Sequence, residues 1–215
     1  MANQRLIVFG TGLLAEQMHF YFSTQAGRVV DAFVLDADYL REDHFQGLPV
    51  VTPEHALQRF PPTTHDMFVA IGHTATRTRQ QRFEAARAAG YAMPSFVHAS
   101  AHVAANVHVG ANCLVQELAM LAPFVQLGED VLICPQVSIN HHSRVGAHCF
   151  FAPAAVVCGD AAIGQRCFVG ANATVRDRVC IGDDCVIGAG AVVMADCAPG
   201  GTYRAARTAR APDAA

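Results

Sequence analysis

The sequence predicts an α/β unit followed by an all-β parallel helix, and three observations support that fold class. From Val97 to Val193 an aliphatic or aromatic residue occupies every sixth position without a break. Four residues after each of these comes Ala, Val, Cys or Ser, from Ala101 to Cys197. Before this stretch, apolar runs alternate with segments of helical periodicity. Two registers maintained over this length indicate a hexapeptide solenoid, and the alternation indicates a parallel sheet covered by helices.

Each hexapeptide supplies one short strand and one corner. The small residue and the next large residue are two positions apart, so both face inwards and the residue between them faces outwards. The other three residues turn the corner, where Asn, Asp or Gly recurs, as at Asn112, Asp130 and Gly190. These residue types tolerate the left-handed backbone of a tight corner. Three strands complete a coil, so residues 18 apart stack about 4.8 Å from one another.

Residues 1–94 are predicted to form a small Rossmann-like α/β domain, 95–198 the β-helix, and 199–215 a C-terminal tail. Expected strands cover residues 5–10, 29–35, 48–51 and 67–71, and the expected sheet is parallel. Expected helices cover 13–23 and 76–89, and a further helix begins at Thr52 as cap with Pro53 at its first position.

Ligands of such sheets bind beyond the carboxyl ends of the strands. These ends carry Gly10-Thr11-Gly12, Asp36 and Gly72. We expect these five residues to bind one nucleotide, with its phosphate near the start of the first helix. The two glycines of the first turn can equally serve only to connect strand and helix, because the third glycine of a dinucleotide fingerprint is missing.

Composition narrows the function classes. The 215 residues are 52% hydrophobic and 15% charged, with a net charge of −3, which gives no electrostatic basis for binding nucleic acid or an anionic membrane. No apolar run is long enough to indicate a signal peptide or membrane span, so we expect a cytoplasmic protein. The eight cysteines include no CxxC pair, which argues against zinc. We expect buried thiols at the small inward positions, namely Cys113, Cys149, Cys167, Cys185 and Cys197.

The corner at Asn140-His141-His142 is the feature that indicates chemistry. By the six-residue count, Ile139 faces inwards and Ser143 fills the next small position, so the three residues between them form a corner. A neutral histidine is the usual general base at neutral pH. We therefore expect His141, with His142 beside it, to be catalytic.

Stacking by 18 residues places further groups on the same corner. Gly159 lies one coil after His141, where its backbone N–H can donate to an oxyanion. Arg176 and Arg178 lie two coils after it, about 10 Å away, where they can meet the phosphates of a cofactor. Their alternative role is surface pairing with nearby carboxylates, those of Asp177 and Asp196.

The chain resembles the bacterial sugar acyltransferases of the hexapeptide class. These are the sugar-nucleotide N-acetyltransferases of the bacillosamine and perosamine kind and their relatives, the sialic acid O-acetyltransferases. The resemblance covers nearly the whole length and implies a left-handed β-helix with acetyl-CoA as co-substrate. It carries the family's base onto His141, through the stretch from Asn140 to Gly146, and the N–H that meets the thioester carbonyl onto Gly159. The expected cofactor-binding residues are Gly159, Arg176, Arg178, Gly170 and Gly188.

Three departures from that family accompany the resemblance. His142 stands where the family has an acidic residue that orients the base, and Asp160, one coil later, is a candidate to assist through it. Gly12-Leu13-Leu14 lacks the histidine of the family's first loop. The segment from Tyr203 to Thr208 lacks the glycine and proline of the family's usual ending.

The sequence therefore predicts acetyl transfer from acetyl-CoA to an amino group of a nucleotide-linked sugar, in surface-polysaccharide or glycan biosynthesis. Alternatives are O-acetylation of a sugar or sialic acid, a metal site of the kind found in β-helical carbonic anhydrases, and a non-catalytic scaffold. No metal site is expected, because His141 and His142 are adjacent and His148 falls on another corner. We expect the remaining β-helix histidines to lie on the surface, namely His98, His102, His108 and His148.

A homotrimer is predicted from one face of the β-helix. The outward positions of that face are apolar on every coil: Phe96, Leu114, Leu132, Phe150, Phe168 and Val186. An apolar stripe of this kind indicates a buried surface. Because the N-terminal domain is expected to join only the first coil, the sequence favours packing against other copies around a three-fold axis.

Overall fold

The computed structural model describes residues 5–206, in which an α/β unit precedes a parallel β-helix. Four strands and three helices of the α/β unit agree with the predicted bounds to within two residues. The helix and strand bounds of this unit are β1 Arg5–Phe9, α1 Leu13–Thr24, β2 Val29–Val34, β3 His44–Phe45, β4 Leu48–Val51, α2 Pro53–Arg59, β5 Asp66–Val69 and α3 Thr76–Ala88.

The sheet of the α/β unit has the strand order β3-β4-β2-β1-β5. The expectation of a purely parallel sheet is wrong at one edge, because β3 pairs antiparallel with β4 through Gln46-Gly47, a turn with positive φ at both residues. The other pairs are parallel. Thr52 caps α2 by accepting a hydrogen bond from the backbone N–H of His55 at 3.4 Å, as predicted. The label Rossmann-like and the boundary at residue 94 stay predictions.

The β-helix consists of two-residue strands that fall on three faces in turn, and residues 18 apart are paired in parallel register. The first face holds β6 Phe96–Val97, β9 Leu114–Val115, β12 Leu132–Ile133, β15 Phe150–Phe151, β18 Phe168–Val169, β21 Val186–Ile187 and β23 Thr202–Tyr203. The second holds β7 His102–Val103, β10 Met120–Leu121, β13 Ser138–Ile139, β16 Val156–Val157, β19 Thr174–Val175 and β22 Val192–Val193. The third holds β8 His108–Val109, β11 Gln126–Leu127, β14 Arg144–Val145, β17 Ala162–Ile163 and β20 Cys180–Ile181.

The two inward registers of the sequence form the core of the β-helix. Every large inward residue from Val115 to Val193 is buried, as are the five cysteines at small inward positions. Every sixth residue from Asn112 to Gly190 has φ between +55° and +68°, which confirms the predicted corner position. The backbone register imposes this conformation even on bulky residues such as Leu118 and Phe124. The parallel sheets and the hexapeptide spacing are consistent with a left-handed helix.

The first half of the apolar stripe on the first face is covered by the α/β unit of the same chain. Phe96, Leu114 and Leu132 share a buried cluster with strand β1 and with Met18 and Phe22 of α1. Further along the stripe, the ring of His73 lies over two aromatic rings, with centroids 4.6 Å from Phe150 and 5.2 Å from Phe168. The prediction that this stripe forms the interface between copies is therefore wrong for Phe96, Leu114 and Leu132, whereas Val186 at the far end is 40% exposed. The α/β unit reaches well past the first coil.

A buried polar cluster joins α3 to the corner between the third and first faces. Arg79 donates to a carboxylate oxygen of Asp130 at 2.8 Å, and both side chains are fully buried. Asn112 donates to the other carboxylate oxygen and also pairs with the backbone of Val69, extending the edge strand β5. His148 contacts Asp130 at 2.9 Å and is only 5% exposed, so its predicted surface position is wrong.

Helix α1 packs on the first coil through Tyr21. Its ring stacks on Phe96, and its hydroxyl donates to Glu117. Burial and this hydrogen bond raise the pKa of Tyr21 to about 12, so the tyrosine stays a neutral donor. Among residues 5–206, no helix has the length and apolar character to cross a membrane.

Candidate active site

His141 lies at the corner between the second and third faces, which we call the base corner. Asn140 and Ser143 hold its backbone in place. The Asn140 side chain donates to the carbonyl of Val157 at 2.9 Å, and the Ser143 hydroxyl donates to the carbonyl of Cys158 at 3.0 Å. The imidazole of His141 itself is exposed, as predicted. The corner therefore presents a titratable ring to solvent on a rigid backbone.

The imidazole of His141 packs directly against Gly159, one coil later. A Cβ atom built on Gly159 would lie 2.6 Å from Cε1 and 2.7 Å from Nε2 of His141, so only glycine admits the ring. The backbone N–H of Gly159 has no hydrogen-bond partner within the described part of the chain. A ring nitrogen and an unused N–H therefore lie side by side.

His142 lies next to His141 on the same corner. Its ring stacks on Phe124 of the preceding coil, with centroids 4.6 Å apart and planes at 26°. The Nδ1 atoms of His141 and His142 are 3.2 Å apart. The suggestion that Asp160 assists through His142 is wrong, because the Asp160 carboxylate lies 3.9 Å from Arg178 and makes no contact with either ring.

Arg176 and Arg178 follow on later coils of the base corner and are exposed. Arg176 lies 3.6 Å from Asp177, as predicted. Arg178 pairs with Asp160 and not with Asp196, whose carboxylate accepts the backbone N–H of Cys180. These are surface pairs that contribute little to stability, so both guanidinium groups can exchange partners for a ligand's phosphates.

Gly170 and Gly188 do not lie on the base corner. They lie on the corner between the first and second faces, across the second face from His141. Their N–H groups donate to the carbonyls of Ile187 and Tyr203. They therefore have no free donor for a cofactor, and their predicted role has no support in this geometry.

A shallow groove of about 900 Å³ extends along the third face beside the base corner. Its floor is formed by the outward residues of five successive coils, which are His108, Gln126, Arg144, Ala162 and Cys180. Small side chains at its far end leave room for an extended ligand or for another polypeptide surface.

The predicted acceptor residues gather at the carboxyl edge of the sheet, where two cavities open. A cavity of about 580 Å³ between this edge and the first face is lined by Gly12, Gly72 and His73. Thr11 lines a second cavity of about 340 Å³. Its other polar lining residues are Tyr39, Arg41, Glu42 and His44, which the sequence did not indicate.

Gly10 and Asp36 support this edge without lining either cavity. Gly10 has φ +120°, and a Cβ there would lie 2.8 Å from the carbonyl oxygen of Ala70. Asp36 lies 2.9 Å from Arg82 of α3 and is partly buried. Both residues therefore stabilise the conformation of the carboxyl edge of the sheet.

The acceptor edge and the base corner lie on opposite sides of the β-helix. The α/β unit packs on the first face, whereas His141 lies where the second and third faces meet. In a three-sided prism that corner is directly opposite the first face. Within one chain, the predicted acceptor site and the predicted catalytic base therefore lie far from each other.

Comparison with known proteins supports the resemblance. The family model for bacterial transferase hexapeptide (six repeats) matches residues 160–195. The acetyltransferase domain of PglB from Neisseria gonorrhoeae FA1090 is 25% identical, with a TM-score of 0.83, covering 94% of this chain and 97% of that one. PerB from Caulobacter crescentus, solved in complex with CoA and GDP-perosamine, is 29% identical, with a TM-score of 0.84 and 95% of each chain covered. No curated protein sequence matched.

These matches support an acyltransferase enzyme that carries hexapeptide repeats. WeeI from Acinetobacter baumannii AYE shares the fold at 20% identity and a TM-score of 0.64, covering 92% of this chain and 94% of that one. The PglB domain has also been solved with acetyl coenzyme A. Variants of the C. crescentus enzyme in which one histidine is replaced by asparagine or alanine have been solved with CoA and GDP-perosamine.

The acyltransferase carries no candidate metal centre in residues 5–206, where no group of three or more His, Cys, Asp or Glu side chains converges. His148, which the metal hypothesis would need, is engaged with Asp130. The base corner has an imidazole, that of His141, beside the unused N–H of Gly159. A proton acceptor and an N–H donor are the two groups that direct acyl transfer uses.

Proposed function

We propose that this protein transfers the acetyl group of acetyl-CoA to the amino group of a nucleotide-linked amino sugar. The observation that supports it best is the contact between His141 and Gly159, in which an imidazole lies against a residue whose backbone N–H has no hydrogen-bond partner among the described residues. The solved relatives that bind CoA and GDP-perosamine support the classes of donor and acceptor. The eight free thiols suit a reducing compartment, and we place the enzyme in the cytoplasm.

In the proposed reaction the neutral amine attacks the thioester carbonyl and gives its proton to Nε2 of His141. The Gly159 N–H donates to the oxyanion of the tetrahedral intermediate. Collapse of the intermediate breaks the carbon–sulfur bond, and the thiolate that leaves takes the proton from His141. The same groups serve a hydroxyl acceptor, so an O-acetylated sugar is the alternative product.

The decisive experiment replaces His141 with alanine. We expect kcat to fall by roughly 10²–10⁴-fold, because a positioned base contributes about that much. Acetyl-CoA should bind nearly as before, since the ring is exposed and its loss leaves the corner backbone unchanged. Thiol release with a panel of amino and hydroxyl sugar nucleotides measures kcat, and calorimetry measures binding. Activity within a few-fold of wild type would exclude His141 as the base.

We further propose that the complete active site forms between copies. The acceptor cavity on the first face cannot reach the base corner of its own chain across the prism. A second copy that places its α/β unit beside the groove on the third face closes the cleft in which acetyl-CoA would lie. A closed three-fold ring supplies this arrangement to every copy, so we retain the homotrimer on this new ground.

A further inference from the structure

The pair His141-His142 has a feature that a histidine beside a carboxylate would not have. Its two Nδ1 atoms face each other at 3.2 Å, within hydrogen-bonding range for imidazole rings. A neutral imidazole carries one N–H and one lone pair. One of the two facing nitrogens must therefore be the donor and the other the acceptor.

Only one of the two arrangements leaves His141 able to act as a base. If His141 donates from Nδ1, its Nε2 keeps a lone pair beside Gly159 and can take a proton. If His142 donates instead, the proton of His141 lies on Nε2 and the ring cannot serve as base. A carboxylate can only accept and would fix the useful arrangement, whereas His142 fixes it only while its own Nδ1 is unprotonated.

The structure fixes the position of the His142 ring. Its backbone is left-handed, with φ +62°, and its N–H donates to the carbonyl of Pro123. Its imidazole stacks on Phe124, which fixes the plane of the ring. With Nδ1 towards His141, the Nε2 atom lies on the far side of an exposed ring, where water can accept its proton.

The charged groups around this corner pair with one another, so His142 is the side chain that contacts the His141 ring. Asp160 of the next coil pairs with Arg178, and Arg176 pairs with Asp177. No carboxylate of the described residues lies within 4.0 Å of the His141 ring. The ring contact of His141 through Nδ1 is therefore with His142.

We propose that His142 is a positioning residue that orients His141 as a neutral hydrogen-bond acceptor, with Phe124 holding its ring in place. This rests on the proposed role of His141 as the base. His142 itself contacts no reacting atom.

Three substitutions at one position separate this role from simple packing. His142→Phe keeps a ring over Phe124 and removes both nitrogens, and the corner accepts it because Phe124 itself adopts φ +67°. His142→Asn and His142→Asp remove the ring but place an oxygen near the former Nδ1, and both tolerate a left-handed backbone.

We expect the Phe variant to lose roughly 10–100-fold in kcat through a misplaced base. The Asn variant should remain within about three-fold of wild type, because the acceptor is restored. The Asp variant should remain active, with the acid limb of its kcat/KM profile about one pH unit higher, since an anionic neighbour favours the protonated imidazole. A packing role predicts the reverse order, with Phe the mildest change, and that result would overturn the proposal.

A second readout needs no substrate and so separates this proposal from the proposed function. In protein labelled with ¹⁵N-histidine, the His141 resonances, assigned by their loss in His141→Ala, should show the proton on Nδ1 in the wild type. In His142→Phe they should show a mixture or a proton on Nε2. A wild-type His141 protonated on Nε2 would overturn the inference even if the enzyme is active. An inactive wild type with the Nδ1–H form would count against the proposed function alone.

Discussion

The absence of a side chain at Gly159 sets the position of the His141 ring. Because a Cβ there would lie within 2.7 Å of two imidazole atoms, Gly159→Ala must displace His141. We expect kcat to fall about 10²-fold or more, as a displacement of the order of 1 Å can cost that much. Thermal stability should change little, since the corner is exposed on the side of the ring.

The control for Gly159→Ala is Asp177→Ala at the equivalent position one coil later. Asp177 is exposed and contacts only Arg176 among charged partners. That variant should keep nearly full kcat in the thiol-release assay. If both alanine variants behave alike, the close approach of His141 to Gly159 has no catalytic consequence.

Asp36 at the sheet edge should affect the acceptor and not the donor. Its carboxylate holds Arg82 of α3 at 2.9 Å, next to the predicted nucleotide site. We expect Asp36→Ala to raise the KM for the sugar nucleotide several-fold and to leave the KM for acetyl-CoA unchanged. Asp38→Ala, on the exposed turn two residues later, is the matched control. An effect of Asp36→Ala on acetyl-CoA alone would show that the donor enters through this unit.

At the residue scale the sequence predicted what local spacing determines. The six-residue count placed His141 on a corner and Gly159 directly above it, because backbone register alone fixes both positions. It could not show that His148 is buried, since the residues that bury it, Arg79 and Phe83, belong to α3. The stacking of His142 on Phe124 was visible in principle, because the two residues are 18 apart.

Helix α3 is attached to the β-helix by one buried charge pair. Arg79→Ala leaves the Asp130 carboxylate without its main partner, and removing one member of a buried pair costs about 3–5 kcal/mol. The control is Arg77→Ala on the same helix, whose exposed pair with Asp184 is worth less than about 1 kcal/mol. Urea denaturation of the two variants compares these costs. Equal losses would show that the buried cluster does not hold the two units together.

At the element scale the sequence identified every α-helix and most strands of the described residues. It also identified the apolar stripe, but it assigned the buried part of the stripe to the wrong partner. An apolar pattern shows that a surface is covered and contains no information about what covers it. Phe22 and Phe68 could have suggested that the α/β unit covers the stripe. Both are larger apolar side chains than the packing of one helix on one sheet layer requires. Their rings contact each other and, through Phe22, Phe96 of the β-helix.

At the scale of the whole molecule, two inactive variants should restore activity when they share an oligomer. His141→Ala removes the base, and Gly72→Phe fills the acceptor cavity at a position where a side chain meets no atom within 4 Å. If each site combines the base of one copy with the cavity of another, random mixing at equal amounts restores about one site in four.

The mixing experiment uses co-expression with two affinity tags, so that only mixed oligomers are assayed. Homo-oligomers of each variant should be inactive, and mixed trimers, in which one interface of three pairs an intact base with an intact cavity, should release thiol at about a third of the wild-type rate. Mixed oligomers that form and remain inactive would show that each chain completes its own site. A monomer in light scattering would remove the basis for sharing altogether.

The stacked coils also fix the distances along the axis between the groups that would contact acetyl-CoA. Each coil advances along the axis by about 4.8 Å, so the coil that carries the imidazole determines how far the reacting carbonyl lies from the arginines two coils later. Insertion of one further 18-residue coil between His141 and Arg176 would keep the 18-residue register of the backbone hydrogen bonds. It would nevertheless change the length of donor that fits, so this architecture can alter the reach of its cofactor site only in whole steps.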